Sequence, residues 1–154
     1  MFLYKKIIKD LLNKNISVSI AESFTGGQLT KAFTDTPGVS KIFHMGLITY
    51  SNKSKNLLLN IPMSTIKKNG AVNKEIAILM SNNLSKISKS DLCISTTGIA
   101  GPSGGSKKKP VGLSYISIKL HKKTYIFKKV FKGGRSKIQK DAVEFCFNEI
   151  NKLI

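Results

Sequence analysis

Apolar and polar residues follow one another along the chain in patterns that predict helices and strands in turn. Residues 3–14 place Leu3, Ile7 and Leu11 on one helical face, whereas residues 17–21 and 42–50 are short apolar runs typical of buried strands. Further predicted helices are one opened by Thr25 or the glycines after it and reaching about Phe33, a short one capped by Ser51, one at 74–88 and a closing one at 135–152. A turn or helix is predicted after Pro62, and strands are predicted at 91–97, 111–119 and 124–131.

The order of these elements predicts the class of fold. Helices and strands alternate early in the chain, and a hairpin through 121–123 comes late. This order favours an α/β fold, a three-layer domain with a mixed β-sheet flanked by helices. We expect residues 1–154 to form a single domain, and the pattern does not give the order of the strands.

Composition narrows the class of protein further. The chain has 154 residues, 41% of them hydrophobic and only 4 of them proline, which argues against disorder. No apolar run approaches the roughly 18 residues of a membrane span, and the first residues resemble no signal peptide. Cys93 and Cys146 stand in apolar runs, so we expect two buried thiols in a cytoplasmic protein. The sequence has no CxxC motif and no histidine cluster, so we expect no metal, and we expect no cofactor.

The net charge of +18 raises the alternative of nucleic-acid binding. Arg135 is the single arginine among the 26 basic residues, and the lysines are spread over every segment instead of forming one stripe. We therefore interpret the charge as a solvated basic surface, which is compatible with an anionic substrate. An arginine retained in such a lysine-rich chain points to a need for its planar guanidinium.

Candidate chemistry is concentrated in two glycine-containing stretches, AESFTGG at 21–27 and TTGIAGPSGGSKKKPVG at 96–112. Each follows a predicted strand, where α/β proteins place ligands against free backbone N–H groups. Between them lies TYSNKSK at 49–55. A serine, a lysine and a glycine-lined backbone are together the parts of a metal-free amide hydrolase.

Each of these residues also has a purely structural interpretation. Ser23 is also a suitable helix cap, and Tyr50 a suitable core aromatic. Arg135 fits an ion pair on the last helix as well as an anion site at the start of that helix. Glu22 is expected either to orient a lysine or to bind backbone. The second glycine loop fits a tight turn as well as a ligand wall; its candidate residues are Thr97, Gly98, Gly101, Gly104 and Gly105.

Three blocks in register make the chain resemble the CinA C-terminal domain family of nicotinamide-mononucleotide amidohydrolases. They are AESFTGG at 21–27, TPGVSKIFHMGLITYSNKSK at 36–55, and TGIAGPSGG with KPVG at 97–112. The resemblance covers essentially the whole length. It implies hydrolysis of the carboxamide of nicotinamide mononucleotide to nicotinic acid mononucleotide and ammonia, which feeds NAD recycling.

The resemblance also implies roles for single residues. Ser23 corresponds to the nucleophile and Lys55 to the general base, while Tyr50 relays a proton or orients the pair. Lys55 is otherwise expected to face solvent, as most lysines do, and its pKa must be lowered by burial or nearby charge if it is to accept a proton. Thr25, Gly26 and Gly27 are expected to line the substrate site, with backbone N–H groups near the two glycines holding the oxyanion.

Two positions depart from the family pattern, and the alternatives for function stay open. Phe24 stands where a small residue is frequent, and Gly134 where an acidic one is. The larger N-terminal domain of full-length CinA proteins is absent from this chain, so only the amidohydrolase activity is expected. The alternatives are a Ser/Lys hydrolase of another small amide and a basic nucleic-acid-binding module. A homodimer or higher homo-oligomer is expected from the resemblance.

Overall fold

The computed structural model of the protein describes residues 2–154, with side chains from residue 3 onward. Its helices are α1 Phe2–Asn13, α2 Gln28–Thr34, α3 Asn52–Leu59, α4 Met63–Asn69, α5 Lys74–Ser88 and α6 Arg135–Leu153, and its strands are β1 Val18–Glu22, β2 Phe43–Ile48, β3 Leu92–Gly98, β4 Leu113–Leu120 and β5 Lys123–Val130. A short 3-10 turn at Val39–Lys41 precedes β2.

The five strands form one mixed sheet in the order β2-β1-β3-β4-β5. β1 pairs in parallel with β2 and β3, while β3, β4 and β5 are successively antiparallel. The predicted mixed sheet is therefore confirmed. Since parallel strands end at the same edge, Glu22 at the end of β1 lies beside Ile48 of β2 and Thr96 of β3.

Helices cover both faces of the sheet, as the predicted three-layer arrangement requires. The core on one face is built mainly from α1, α2 and α6 and includes Ile8, Phe33 and Phe147. The core on the other face is built from α3, α4 and α5 and includes Leu59 and Met80. Every residue of β1 is buried, because this interior strand is covered on both faces.

The structure corrects several predicted boundaries and environments. α2 begins at Gln28, after the left-handed Gly27, so Thr25 lies before the helix. β2 is an edge strand with alternate residues exposed, so the prediction of a buried strand at 42–50 was wrong. β4 begins at Leu113 because residues before it form a turn.

The structure also shows the state of the two cysteines and whether any described helix could span a membrane. Cys93 and Cys146 are both free and buried, as predicted. Within residues 2–154, no helix has the length and apolar character needed to cross a membrane.

Candidate active site

Lys55 and Ser23 meet at the carboxyl ends of β1 and β2. Lys55 belongs to α3, which Ser51 caps by accepting a hydrogen bond from the Ser54 backbone N–H. The Lys55 Nζ lies 3.0 Å from the Ser23 Oγ and donates to the Thr49 carbonyl oxygen at 2.7 Å. The pair is separated by 32 positions in sequence, so only the tertiary structure brings it together.

The amine of Lys55 is almost wholly removed from water. The residue is 1% exposed, and this desolvation lowers its pKa from 10.5 to about 8. Burial has this sign because the charged ammonium loses hydration that the neutral amine does not need. At pH 7 about one tenth of such amines are neutral, roughly 300-fold more than for an ordinary lysine.

Ser23 opens a tight turn that the sheet holds in place. Its backbone N–H donates to the Thr96 carbonyl at 3.0 Å, and the Gly26 N–H closes the turn on the Ser23 carbonyl at 3.0 Å. The Gly27 N–H donates to the Glu22 side chain. These bonds already occupy the two glycine amides, so neither is free to donate to a further acceptor in this structure.

The amides of Phe24 and Thr25, at the centre of this turn, donate no hydrogen bond to any described residue. They directly follow the Ser23 side chain in sequence. They are therefore the amides of this turn that remain free to donate. Thr25 itself is buried, and its Oγ1 lies 2.8 Å from the Thr96 Oγ1.

Glu22 binds backbone, which decides between its two predicted roles. Its side-chain oxygens accept from the N–H groups of Gly27, Leu29 and Thr30 at 3.1, 3.0 and 2.7 Å. The start of α2 is thereby fixed immediately after the serine turn. The sequence held one signal for this role of Glu22: an acidic residue a few positions before a helix that has no Ser, Thr, Asp or Asn cap. Helix N-termini attract acidic groups, because their first backbone N–H groups have no partner within the helix.

A cavity of about 450 Å³ opens beside the pair. The predicted residues on its wall are Ser23, Tyr50, Lys55, Thr97, Gly98, Gly101, Gly104 and Arg135, and Phe24 lines it too. Thr25, Gly26, Gly27 and Gly105 are not on this wall. A side chain at Gly105 would lie 2.8 Å from both the Val111 Cγ2 and the Val111 backbone nitrogen, which explains this glycine by packing.

Thr97 and Gly98 serve the shape of the cavity. The Thr97 hydroxyl donates to the Ala71 carbonyl at 2.7 Å and so joins β3 to the segment before α5. A Cβ at Gly98 would lie 2.7 Å from the Ser114 Oγ and 3.0 Å from the Phe24 Cδ1. Only glycine leaves the Phe24 ring its present place on the cavity wall.

Tyr50 and Arg135 meet at the rim of the cavity. Arg135 donates through Nη1 to the Gly101 carbonyl at 2.8 Å and through Nη2 to the Tyr50 hydroxyl. Tyr50 is 55% exposed, so it is no core aromatic, and its hydroxyl bonds to neither Ser23 nor Lys55 in residues 2–154. No ion pair joins Arg135 to a carboxylate within the same residues.

The described residues offer no obvious metal ligands. No group of three His, Cys, Asp or Glu side chains in residues 2–154 lies close enough to hold an ion. The polar groups on the cavity wall are serine and threonine hydroxyls, the Lys55 amine, the Arg135 guanidinium, the Tyr50 phenol and the Asn52 carboxamide.

These features define a three-layer α/β domain with a buried serine–lysine pair beside a cavity at the carboxyl ends of parallel strands. The family model described as the CinA C-terminal domain matches residues 2–154. The chain therefore belongs to the CinA C-terminal domain family, as its sequence motifs predicted.

Curated relatives are named as competence-damage inducible or CinA-like proteins. A "putative competence-damage inducible protein" of Caldanaerobacter subterraneus subsp. tengcongensis is 43% identical over 148 residues, 96% of this chain and 36% of that protein. A "CinA-like protein" of Endomicrobium trichonymphae is 49% identical over 144 residues, 94% of this chain and 34% of that protein. The chain thus spans about a third of the length of these relatives.

Solved structures share the fold over nearly the whole chain. The competence/damage inducible protein CihA from Agrobacterium tumefaciens superposes with a TM-score of 0.93 at 32% identity, covering 98% of this chain and 93% of that one. A CinA superfamily protein from Klebsiella pneumoniae gives a TM-score of 0.93 at 23% identity, covering 97% and 94%. The second likeness supports the fold alone.

Proposed function

We propose that this domain hydrolyses the carboxamide of nicotinamide mononucleotide by Ser/Lys chemistry. The observation that carries the proposal is the 3.0 Å contact between the Ser23 Oγ and a Lys55 amine that burial holds at a pKa of about 8. A hydroxyl is a poor nucleophile until a neighbouring base accepts its proton. A buried lysine is suited to that task only if its pKa approaches the working pH.

In the first half of the reaction, Lys55 accepts the hydroxyl proton as the Ser23 Oγ attacks the carboxamide carbon. The carbonyl oxygen becomes an oxyanion, for which the free amides of Phe24 and Thr25 are the proposed donors. Lys55 then returns the proton to the amide nitrogen. The C–N bond breaks, ammonia leaves, and an ester joins the substrate to Ser23.

In the second half, water takes the place of ammonia. Lys55 accepts a proton from the water as its oxygen attacks the ester carbon, and the proton passes to the Ser23 Oγ when the C–O bond breaks. The products are nicotinic acid mononucleotide and the regenerated pair. Returning the pyridine nucleotide to NAD synthesis is the metabolic consequence of this reaction.

The rim of the cavity is suited to the phosphate of the substrate. The Arg135 guanidinium carries five N–H donors, and the Gly101 carbonyl and Tyr50 hydroxyl use two of them. The remaining donors are available to a phosphate at the start of α6, where helix geometry also favours an anion. Tyr50 is thus assigned to orienting Arg135 instead of relaying a proton.

The direct test is release of ammonia from nicotinamide mononucleotide by the wild type, Ser23→Ala and Lys55→Met. The exposed Lys53, two residues earlier on α3, provides Lys53→Met as the matched control. We expect activity in the wild type and the control and its loss, by at least about 10³-fold, in the other two.

Three other outcomes would redirect the proposal. Full activity in Lys55→Met would exclude this lysine as the base. Activity only on other small amides would keep the chemistry and reject the substrate. No hydrolysis together with salt-sensitive nucleic-acid binding would favour a basic binding module.

A further inference from the structure

The peptide unit that carries the nucleophile is held at both ends by neighbouring strands. Ser23 supplies its N–H, which donates to the Thr96 carbonyl at 3.0 Å on the β3 side. Glu22 supplies its C=O, which lies on the β2 side, where Thr49 follows the strand. The position of Ser23 therefore depends on both neighbours of β1.

Thr49 makes two bonds to that carbonyl. Its backbone N–H donates to the Glu22 oxygen at 2.7 Å, and its Oγ1 hydroxyl donates to the same oxygen at 3.2 Å. Thr49 is fully buried, so water cannot substitute for either donor. Because both donors bind the same oxygen, they hold the Thr49 backbone against the Glu22 carbonyl more tightly than the backbone N–H alone would.

The Thr49 carbonyl in turn accepts from the Lys55 Nζ at 2.7 Å, and that nitrogen lies 3.0 Å from the Ser23 Oγ. The contacts form a closed ring from Ser23 through the Glu22 carbonyl, Thr49 and Lys55 back to Ser23. We propose that Thr49 is a positioning residue, which fixes the nucleophile and its base at a reactive separation. It does so by bonding to the Glu22 carbonyl, which belongs to the peptide unit that carries Ser23, and to the Lys55 side chain.

The ring also orients the amine. A neutral lysine amine has two N–H groups and one lone pair, and a carbonyl oxygen accepts a hydrogen bond but cannot donate one. An N–H of Lys55 must therefore point at the Thr49 oxygen. This constraint restricts the rotation of the amine and leaves its lone pair free to take the hydroxyl proton of Ser23.

The inference depends on the proposed Ser/Lys chemistry but not on the identity of the amide. Its test compares Thr49→Val, which keeps the branched shape without the hydroxyl, with Thr49→Ser, which keeps the hydroxyl. The exposed Thr34 of α2 provides Thr34→Val as the control. Two rates are measured for each variant: kcat for nicotinamide mononucleotide, and the rate at which a fluorophosphonate probe labels Ser23.

We expect Thr49→Val to lower kcat and the labelling rate about tenfold with KM unchanged, because a small misplacement of reacting groups lowers rate more than binding. Thr49→Ser is expected to restore both rates to within about twofold, and Thr34→Val to match the wild type. A thermal melt verifies folding, and Thr49→Ala replaces Thr49→Val if the valine variant does not fold.

The remaining outcomes separate this inference from the proposed function. Wild-type rates in a folded Thr49→Val or Thr49→Ala, or no rescue by Thr49→Ser, would overturn the positioning role. A wild type that labels at Ser23 but ignores nicotinamide mononucleotide would reject that substrate, and the labelling rates would still decide the role of Thr49. A wild type that neither labels at Ser23 nor hydrolyses nicotinamide mononucleotide would reject the Ser/Lys chemistry, and both proposals would then fail.

Discussion

Replacing Lys55 with Met is expected to stabilise the protein at neutral pH and to lose that advantage at high pH. Lowering the pKa of a buried amine from 10.5 to about 8 costs the folded state about 3 kcal/mol at pH values below about 8, where the folded and unfolded states are both protonated. Methionine has a similar length and no charge to desolvate. The variant therefore avoids this cost, although it also loses the bonds to Ser23 and Thr49.

The sign follows from proton binding. Between pH 8 and 10.5 the unfolded chain holds a proton on Lys55 that the folded protein has released, so wild-type stability rises with pH in that window. Below pH 8 the penalty is fully present. The lost hydrogen bonds add a term that varies little with pH, so the informative quantity is the change with pH of the difference between variant and wild type.

Urea denaturation at pH 6.5 and pH 10 measures this quantity, with Lys53→Met as the exposed control. The difference in free energy of unfolding between Lys55→Met and wild type should fall by about 2 to 3 kcal/mol from the lower pH to the higher. The other lysines cancel in the comparison. A difference that stays constant with pH would mean that Lys55 has an ordinary pKa, and the general-base assignment would then lose its physical basis.

Three further substitutions test other parts of the site. Glu22→Gln should lower the free energy of unfolding by about 2 kcal/mol, because an amide nitrogen cannot accept hydrogen bonds from the N–H groups that Glu22 now binds. The control Glu144→Gln changes an exposed residue and should alter the free energy of unfolding little, so equal urea midpoints for the two variants would contradict this prediction. Gly98→Ala should lower the free energy of unfolding by about 1 to 3 kcal/mol, because the added Cβ overpacks the site. A Cβ at Gly134 meets nothing within 4 Å, so the control Gly134→Ala should melt like the wild type, and a wild-type melt for Gly98→Ala would show that the neighbours of Gly98 can move. Arg135→Met should raise KM for nicotinamide mononucleotide about 10- to 100-fold and leave KM for nicotinamide riboside, which has no phosphate, unchanged. An equal rise in KM for both substrates would refute the assignment of Arg135 to the phosphate.

Local pattern was enough to predict most elements and the class of fold. The helix predicted from the apolar spacing of residues 3–14, the Ser51 cap, the helix at 74–88 and the late hairpin are all present. Each depends on interactions within a few residues, which the periods of 3.6 and 2 record in the sequence. The edge position of β2 was missed, because the order of strands depends on pairing between distant segments.

The candidate site divides in the same way. Sequence singled out Ser23 through its place between a strand and two glycines, but nothing local distinguishes Lys55 from the other 24 lysines except its position in a family motif. Its burial, which lowers its pKa, appears only once α3 is folded against the sheet, with Leu59 of the same helix in the core. The engagement of the Gly26 and Gly27 amides likewise appears only when the turn is folded.

The sequence by itself determined the elements, the mixed α/β class and the segments that carry reactive groups, since these follow from residues close together in the chain. Tertiary structure alone decided which amine meets the serine, which amides stay free and that Thr49 joins the two sides. The physical reason is that hydrogen bonds and desolvation act over a few ångströms in space, whereas Ser23 and Lys55 lie 32 positions apart in sequence.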